Sequence, residues 1–72
     1  MKMIEVDARG FSCPVPVMKA DKAIGKNPKQ AITVLVDNPA SKDNVSRLAR
    51  SKGYRVEVKT SEGGYCLTLT PA

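Results

Sequence analysis

Ala31-Ile32-Thr33-Val34-Leu35-Val36-Asp37-Asn38-Pro39 joins the strongest strand signal in the chain to a helix start. The near-continuous β-branched apolar run over 31–37 suits a central, mostly buried strand. Asn38 can supply a capping oxygen, and Pro39 fits the first helical position, where a missing N–H breaks no intrahelical bond. Ser41 is a second possible N-cap, so the start is open by a few residues. Val45, Leu48 and Ala49 then fall on one helical face, with Arg47 and Arg50 elsewhere, and Gly53 suits the position after the helix.

The same strand-then-proline arrangement occurs earlier in the chain. Lys2 to Asp7 reads as a short strand, and Ala8-Arg9-Gly10-Phe11-Ser12 as a loop in which Gly10 permits a tight bend. Cys13-Pro14-Val15-Pro16 opens a helix running from Pro14 to about Lys26. Val17, Ala20 and Ile24 share one face of it, and Lys19, Lys22 and Lys26 another. Gly25 and Asn27-Pro28 end it. At the other end of the chain, Tyr54, Val56 and Val58 alternate with Arg55, Glu57 and Lys59. Tyr65, Leu67 and Leu69 alternate with Cys66, Thr68 and Thr70. Ser61-Glu62-Gly63-Gly64 turns between the two runs, and Pro71 stops the second.

The order β-α-β-α-β-β predicts one domain over 1–72. Its class is α/β (α+β): a two-layer sandwich with a four-stranded mixed sheet and both helices on one face. The first three strands run parallel and the fourth antiparallel, because a short turn joins it to the third. Both helices begin at the carboxyl ends of strands, the edge where open α/β sheets usually bind ligands. Cys13, the Asn38-Pro39 helix start and the 61–64 turn should gather there. Cys66 should lie near that end but face away from the helices, which argues against a disulfide with Cys13, since bridged Cα atoms lie within about 7 Å.

Composition narrows the chemistry. The 72 residues are 42% hydrophobic and 26% charged, which places the chain among small globular domains. No run is long and apolar enough to span a membrane, and Met1 to Asp7 lacks a signal-peptide core, so a cytoplasmic protein is expected. Two cysteines and no histidine argue against a disulfide scaffold and a zinc site, and remove Cys-His and Ser-His-Asp catalysis. No metal or cofactor is expected. A net charge of +5 favours acidic partners, although solubility alone can account for it.

Cys13 is the candidate reactive residue. A thiol at or beside a helix N-cap lies near free N–H groups and the positive end of the helix dipole, which raises its thiolate fraction. Arg9 can add to this stabilisation. The Lys19-Lys22-Lys26 stripe is either a solvated face or a docking surface that guides an acidic partner toward the thiol. Cys66 reads as a strand residue on the less buried sheet face, or else as a resolving thiol or partner contact.

The stretch Asp7-Ala8-Arg9-Gly10-Phe11-Ser12-Cys13-Pro14-Val15-Pro16-Val17-Met18 resembles the signature of the TusA/SirA/YedF sulfur-carrier family. The hallmark is Cys-Pro-x-Pro opening the first helix after an Asp-x-x-Gly segment. Val34 to Pro39, Asn44 to Ala49 and Gly53-Tyr54 look most like the YedF branch, and the resemblance covers essentially the whole chain. Phe11 stands where many relatives carry leucine. The resemblance implies the same β-α-β-α-β-β sandwich. It implies that Cys13 carries a transient persulfide taken from a cysteine desulfurase or other sulfur donor and passed to an acceptor protein. Pro14 and Pro16 would shape the helix start, and Asp7, Arg9 and Gly10 the loop before it. In the TusA branch the relay ends in tRNA thiolation; for YedF, selenium metabolism is among the suggested roles. A sulfurtransferase-like carrier is thus expected rather than a stand-alone turnover enzyme.

Two other functions compete. A small basic RNA-binding module fits the charge, but one Phe, two Tyr and no Trp offer few stacking platforms. A thiol-dependent regulatory adaptor would form mixed disulfides through Cys13, although no Cys-x-x-Cys motif is present.

Overall fold

The computed structural model describes residues 4–11 and 14–72. Six elements follow in the expected order: β1 (Ile4–Asp7), α1 (Val15–Lys26), β2 (Ile32–Val36), α2 (Pro39–Ser51), β3 (Tyr54–Ser61) and β4 (Gly64–Pro71). The strands form one sheet in the order β1-β2-β4-β3. β1 pairs parallel with β2, and β4 lies antiparallel between β2 and β3. The first three strands therefore share a direction, as the connections require. The hairpin does not simply extend the sheet outward: its second strand inserts next to β2 and leaves β3 at the edge.

Alternation divides the sheet into two faces. Ile4, Ile32, Leu69 and Val56 form one row of partners facing the helices, and Val6, Val34, Leu67 and Val58 form the next. α1 and α2 pack against each other on this side. Ala20, Ala23 and Ile24 of α1 and Val45 and Ala49 of α2 close the core over Ile32, Val34, Val36, Leu67 and Leu69. Pro16 is also fully buried, so the second proline of the Cys-Pro-x-Pro stretch is a core residue as well as a helix starter. The opposite face carries Asp7, Leu35, Cys66 and Lys59 in one register row. Cys66 thus points away from the helices, as expected, and is half-buried.

Element ends differ from the sequence reading in detail. Gly25 lies inside α1, which closes at Asn27, whose backbone N–H and side-chain amide both donate to Ala23 O. Pro71 is the last paired residue of β4 rather than a stop before it; at the strand's end its missing N–H breaks no further ladder bond. Of the two candidate caps for α2, Asn38 is the one used: its Oδ1 accepts from Ser41 N–H at 2.8 Å. Ser41 is instead buried, and its hydroxyl has no hydrogen-bond partner among the described residues.

Candidate functional site

Cys13 and Ser12 lie outside the described residues, and the site is built from what flanks them. On one side, β1 runs into the loop through Ala8, whose N–H extends the ladder to Leu35 O at 2.8 Å. Asp7 then grips Arg9 through Arg9 Nε to Oδ1 at 3.0 Å, Arg9 Nη2 to Oδ2 at 2.9 Å, and the Arg9 backbone N–H to Oδ1 at 3.1 Å. These bonds to Arg9 hold the Asp7 carboxyl well down, from 3.8 to about 2, and the same pairing raises Arg9. The guanidinium is therefore already matched by a carboxylate. This pairing shapes the loop, and the expected stabilisation of the Cys13 thiolate by Arg9 falls on a residue outside the described ones.

Gly10 turns the loop with φ +83°, a backbone region that residues with a Cβ rarely enter. Its N–H donates to Asp37 Oδ2 at 2.7 Å. The other oxygen of Asp37 accepts from Asn38 Nδ2 at 3.1 Å, and Asn38 in turn caps α2. Gly10 and Asn38 both hold the Asp37 carboxyl below the ordinary carboxylate range. One aspartate thus ties the β1–α1 loop to the start of α2. The β3–β4 hairpin closes on the same point: a Cβ on Gly64 would run into the carbonyl oxygen of Val36 and the Cα of Asp37. The loop up to Gly10, the start of α2 and the hairpin turn meet at this edge, while Cys13, expected with them, lies outside the described residues.

On the other side of the cysteine, Pro14 occupies the N-cap of α1 without a side-chain capping bond, and the first turn holds no acidic residue. Pro14 and Pro16 have no N–H, so Val15 and Val17 are the backbone donors the turn can still offer, while Met18 N–H already bonds Pro14 O at 3.0 Å. The positive end of the dipole is left without a neutralising side chain of its own helix.

Phe11 and Met18, at 44% and 62% exposure, are large apolar side chains left open to either side of the cysteine in sequence. Lys19 Nζ lies 4.9 Å from the centroid of the Phe11 ring. Lys19, Lys22 and Lys26 line a shallow groove together with Glu5 and Asp7 of β1. The lysine stripe is thus exposed and continuous with the loop.

Sequence reasoning singled out Asp7, Arg9, Gly10, Pro14 and Pro16, but did not single out Asp37. The available signal was an aspartate at the end of the central strand, immediately before the Asn-Pro helix start.

The family model for sulfurtransferase TusA matches residues 4–70. The chain belongs to the TusA family. A SirA-like protein from Desulfitobacterium hafniense has the same fold, with a TM-score of 0.87 and 37% identity over 94% of this chain and 96% of that one. The sulfur carrier protein TusA of Allochromatium vinosum is 30% identical over 61 residues, covering 83% of this chain and 80% of the relative. A candidate sulfur carrier protein of Methanocaldococcus jannaschii is 36% identical over 55 residues, covering 75% of this chain and 73% of its own. These matches establish the TusA/SirA-like family without separating its YedF branch. The matched span includes the whole segment from Asp7 to Met18, and with it Cys13.

Proposed function

We propose that this protein is a sulfur carrier in which Cys13 alternates between thiol and persulfide. The observation that carries the reading is Cys13 itself, in the Cys-Pro-x-Pro segment of a chain that matches the TusA family from 4 to 70. The Cys13 thiolate attacks the outer sulfur of a donor persulfide. A new S–S bond forms at Cys13, the donor S–S bond breaks, and the donor cysteine leaves as a thiolate. An acceptor thiolate then attacks the outer sulfur on Cys13 and restores the Cys13 thiolate. The sulfane sulfur moves with no net oxidation, so neither a cofactor nor a general base is required.

The helix start supports this chemistry. Two remaining backbone N–H groups and an uncompensated dipole favour thiolate beside α1. The latch of Gly10 on Asp37 holds the loop before the cysteine to the sheet edge. Phe11, Met18 and the three lysines offer donor and acceptor proteins an apolar and basic rim. The donor is a cysteine desulfurase or another persulfide protein, and the acceptor is the next protein of a relay. Such a molecule carries sulfur between partners and is not a turnover enzyme on its own. The end product can be thiolated tRNA or a selenium-containing product. A reducing cytoplasm suits a carrier whose thiol must stay free. Among the described residues no helix is long and apolar enough to cross a membrane.

The deciding experiment is intact-protein mass spectrometry after incubation with a cysteine desulfurase and cysteine. Wild type should gain roughly one sulfur atom, removable by a reductant, and Cys13→Ser should gain none. Loading of Cys13→Ser to the wild-type level would overturn the assignment.

A further inference from the structure

We infer that the β3 edge of the sheet, together with the groove between β3 and α2, is a docking site for an extended acidic segment of a partner protein, which adds as a fifth strand. This surface is distinct from the groove of the α1 lysines, and only Arg47 on its rim also borders Pro14 and Val17 at the start of α1. β3 spans eight residues, Tyr54–Ser61, and pairs on one side only. The backbone groups on its other side are therefore open to a further strand.

Side chains on both sides of this edge are basic. Toward the helices, the groove is lined by Lys42, Arg47 and Arg50, with Asp43 and Ser46 between them and Val58 at its floor. Lys42 is met by Asp43 at 3.4 Å, whereas Arg47 and Arg50 have no carboxylate partner among the described residues. Val58 belongs to the core row with Val6, Val34 and Leu67, yet it is 43% exposed because α2 leaves it uncovered. On the open face, Arg55 and Lys59 flank the single Glu57. An added strand would thus find cations above and below it and one apolar position facing Val58. Alternating acidic and apolar side chains complement that pattern.

The charge pattern also selects against other occupants. Antiparallel self-pairing centred on Glu57 would set Arg55 against Lys59, and Glu57 against Glu57, of a second copy. Joining β1 of one copy to β3 of another would bring the α1 lysines beside β1 toward Arg47 and Arg50. β1 carries Glu5 and Asp7, so an acidic strand has little reason to choose that edge. β3 stands three strand spacings from β1, on the order of 14 Å.

The test is fluorescence anisotropy of the full chain with a short labelled peptide of alternating Glu and Val, paired with amide hydrogen exchange. No sulfur step enters the measurement, so its outcome is independent of whether Cys13 carries a persulfide. Binding should weaken steeply with salt and slow exchange at the β3 amides that face away from β4. Arg47→Glu with Arg50→Glu should weaken binding at least about tenfold. Lys22→Glu with Lys26→Glu should leave it within about twofold. Should the Glu pair disturb the fold by circular dichroism, Arg47→Gln with Arg50→Gln decides, with a smaller loss expected. The inference fails if the peptide does not bind, if the arginine variants bind as wild type, or if a Lys-Val peptide binds equally well. It also fails if protection appears at β1, if single-stranded RNA occupies these residues more tightly, or if the chain self-associates through β3.

Discussion

Asp37 joins two backbone segments and a helix cap through one carboxylate, and its replacement should be felt in all three. Asp37→Ala should lower the urea midpoint and speed amide exchange at Gly10, while secondary structure by circular dichroism is kept. Unchanged exchange at Gly10 would contradict the latch. Both aspartates at this edge have folded pKa values below their unfolded ones, so each stabilises the fold when ionised. Their contribution is complete above the ordinary carboxylate range and fades as pH falls; for Asp7 the window runs from 3.8 to about 2. Acid titration followed by NMR should show Asp7 titrating near the bottom of that window, and Arg9→Ala should move it back up. Ser41 presents the opposite case, because its buried hydroxyl has no partner among the described residues. Ser41→Ala keeps the backbone N–H that Asn38 caps and should raise stability by about 1 kcal/mol in urea denaturation.

At the scale of elements, the two helix starts use proline differently. Pro39 follows a capping asparagine whose side chain satisfies a free N–H, so Asn38→Ala should cost about 1 kcal/mol. At α1 the N-cap residue is Pro14, which has no capping side chain, and the helix start is held from inside by Pro16 in the core. The hairpin reaches the site edge only because Gly64 allows its backbone to approach Val36 and Asp37. Gly64→Ala should destabilise the protein by about 1–3 kcal/mol, since the new atom meets backbone that cannot easily give way. A thermal midpoint within error of wild type would show that the hairpin can shift outward without loss.

For the whole molecule, the charge of +5 is not spread evenly. The lysines of α1 flank the loop at one edge of the sheet, and the arginines of α2 flank β3 at the other. If the α1 face steers a sulfur donor, Lys19→Glu with Lys22→Glu should slow loading by about tenfold at low salt, with little difference at high salt. The rate of persulfide formation, followed by mass spectrometry over time, reads this directly. A rate equal to wild type at low salt would reduce the stripe to a solvated face.

Much of this architecture was legible in local patterns. The alternation of Tyr65, Leu67 and Leu69 with Cys66, Thr68 and Thr70 fixed which face of the last strand is buried, because side chains in a strand alternate strictly. The proline-marked helix starts, the antiparallel hairpin and the outward position of Cys66 followed from similarly short-range rules. Tertiary structure alone decided that β4 lies between β2 and β3, because burying Leu67 and Leu69 beside Val34 and Ile32 depends on pairing between distant segments. It likewise decided that Gly10 bonds Asp37 across 27 positions and that Val58 lies beyond the cover of α2. Periodicity and capping are properties of neighbouring residues. Strand order, long-range latches and the edge of a core arise only when separate elements share one buried volume.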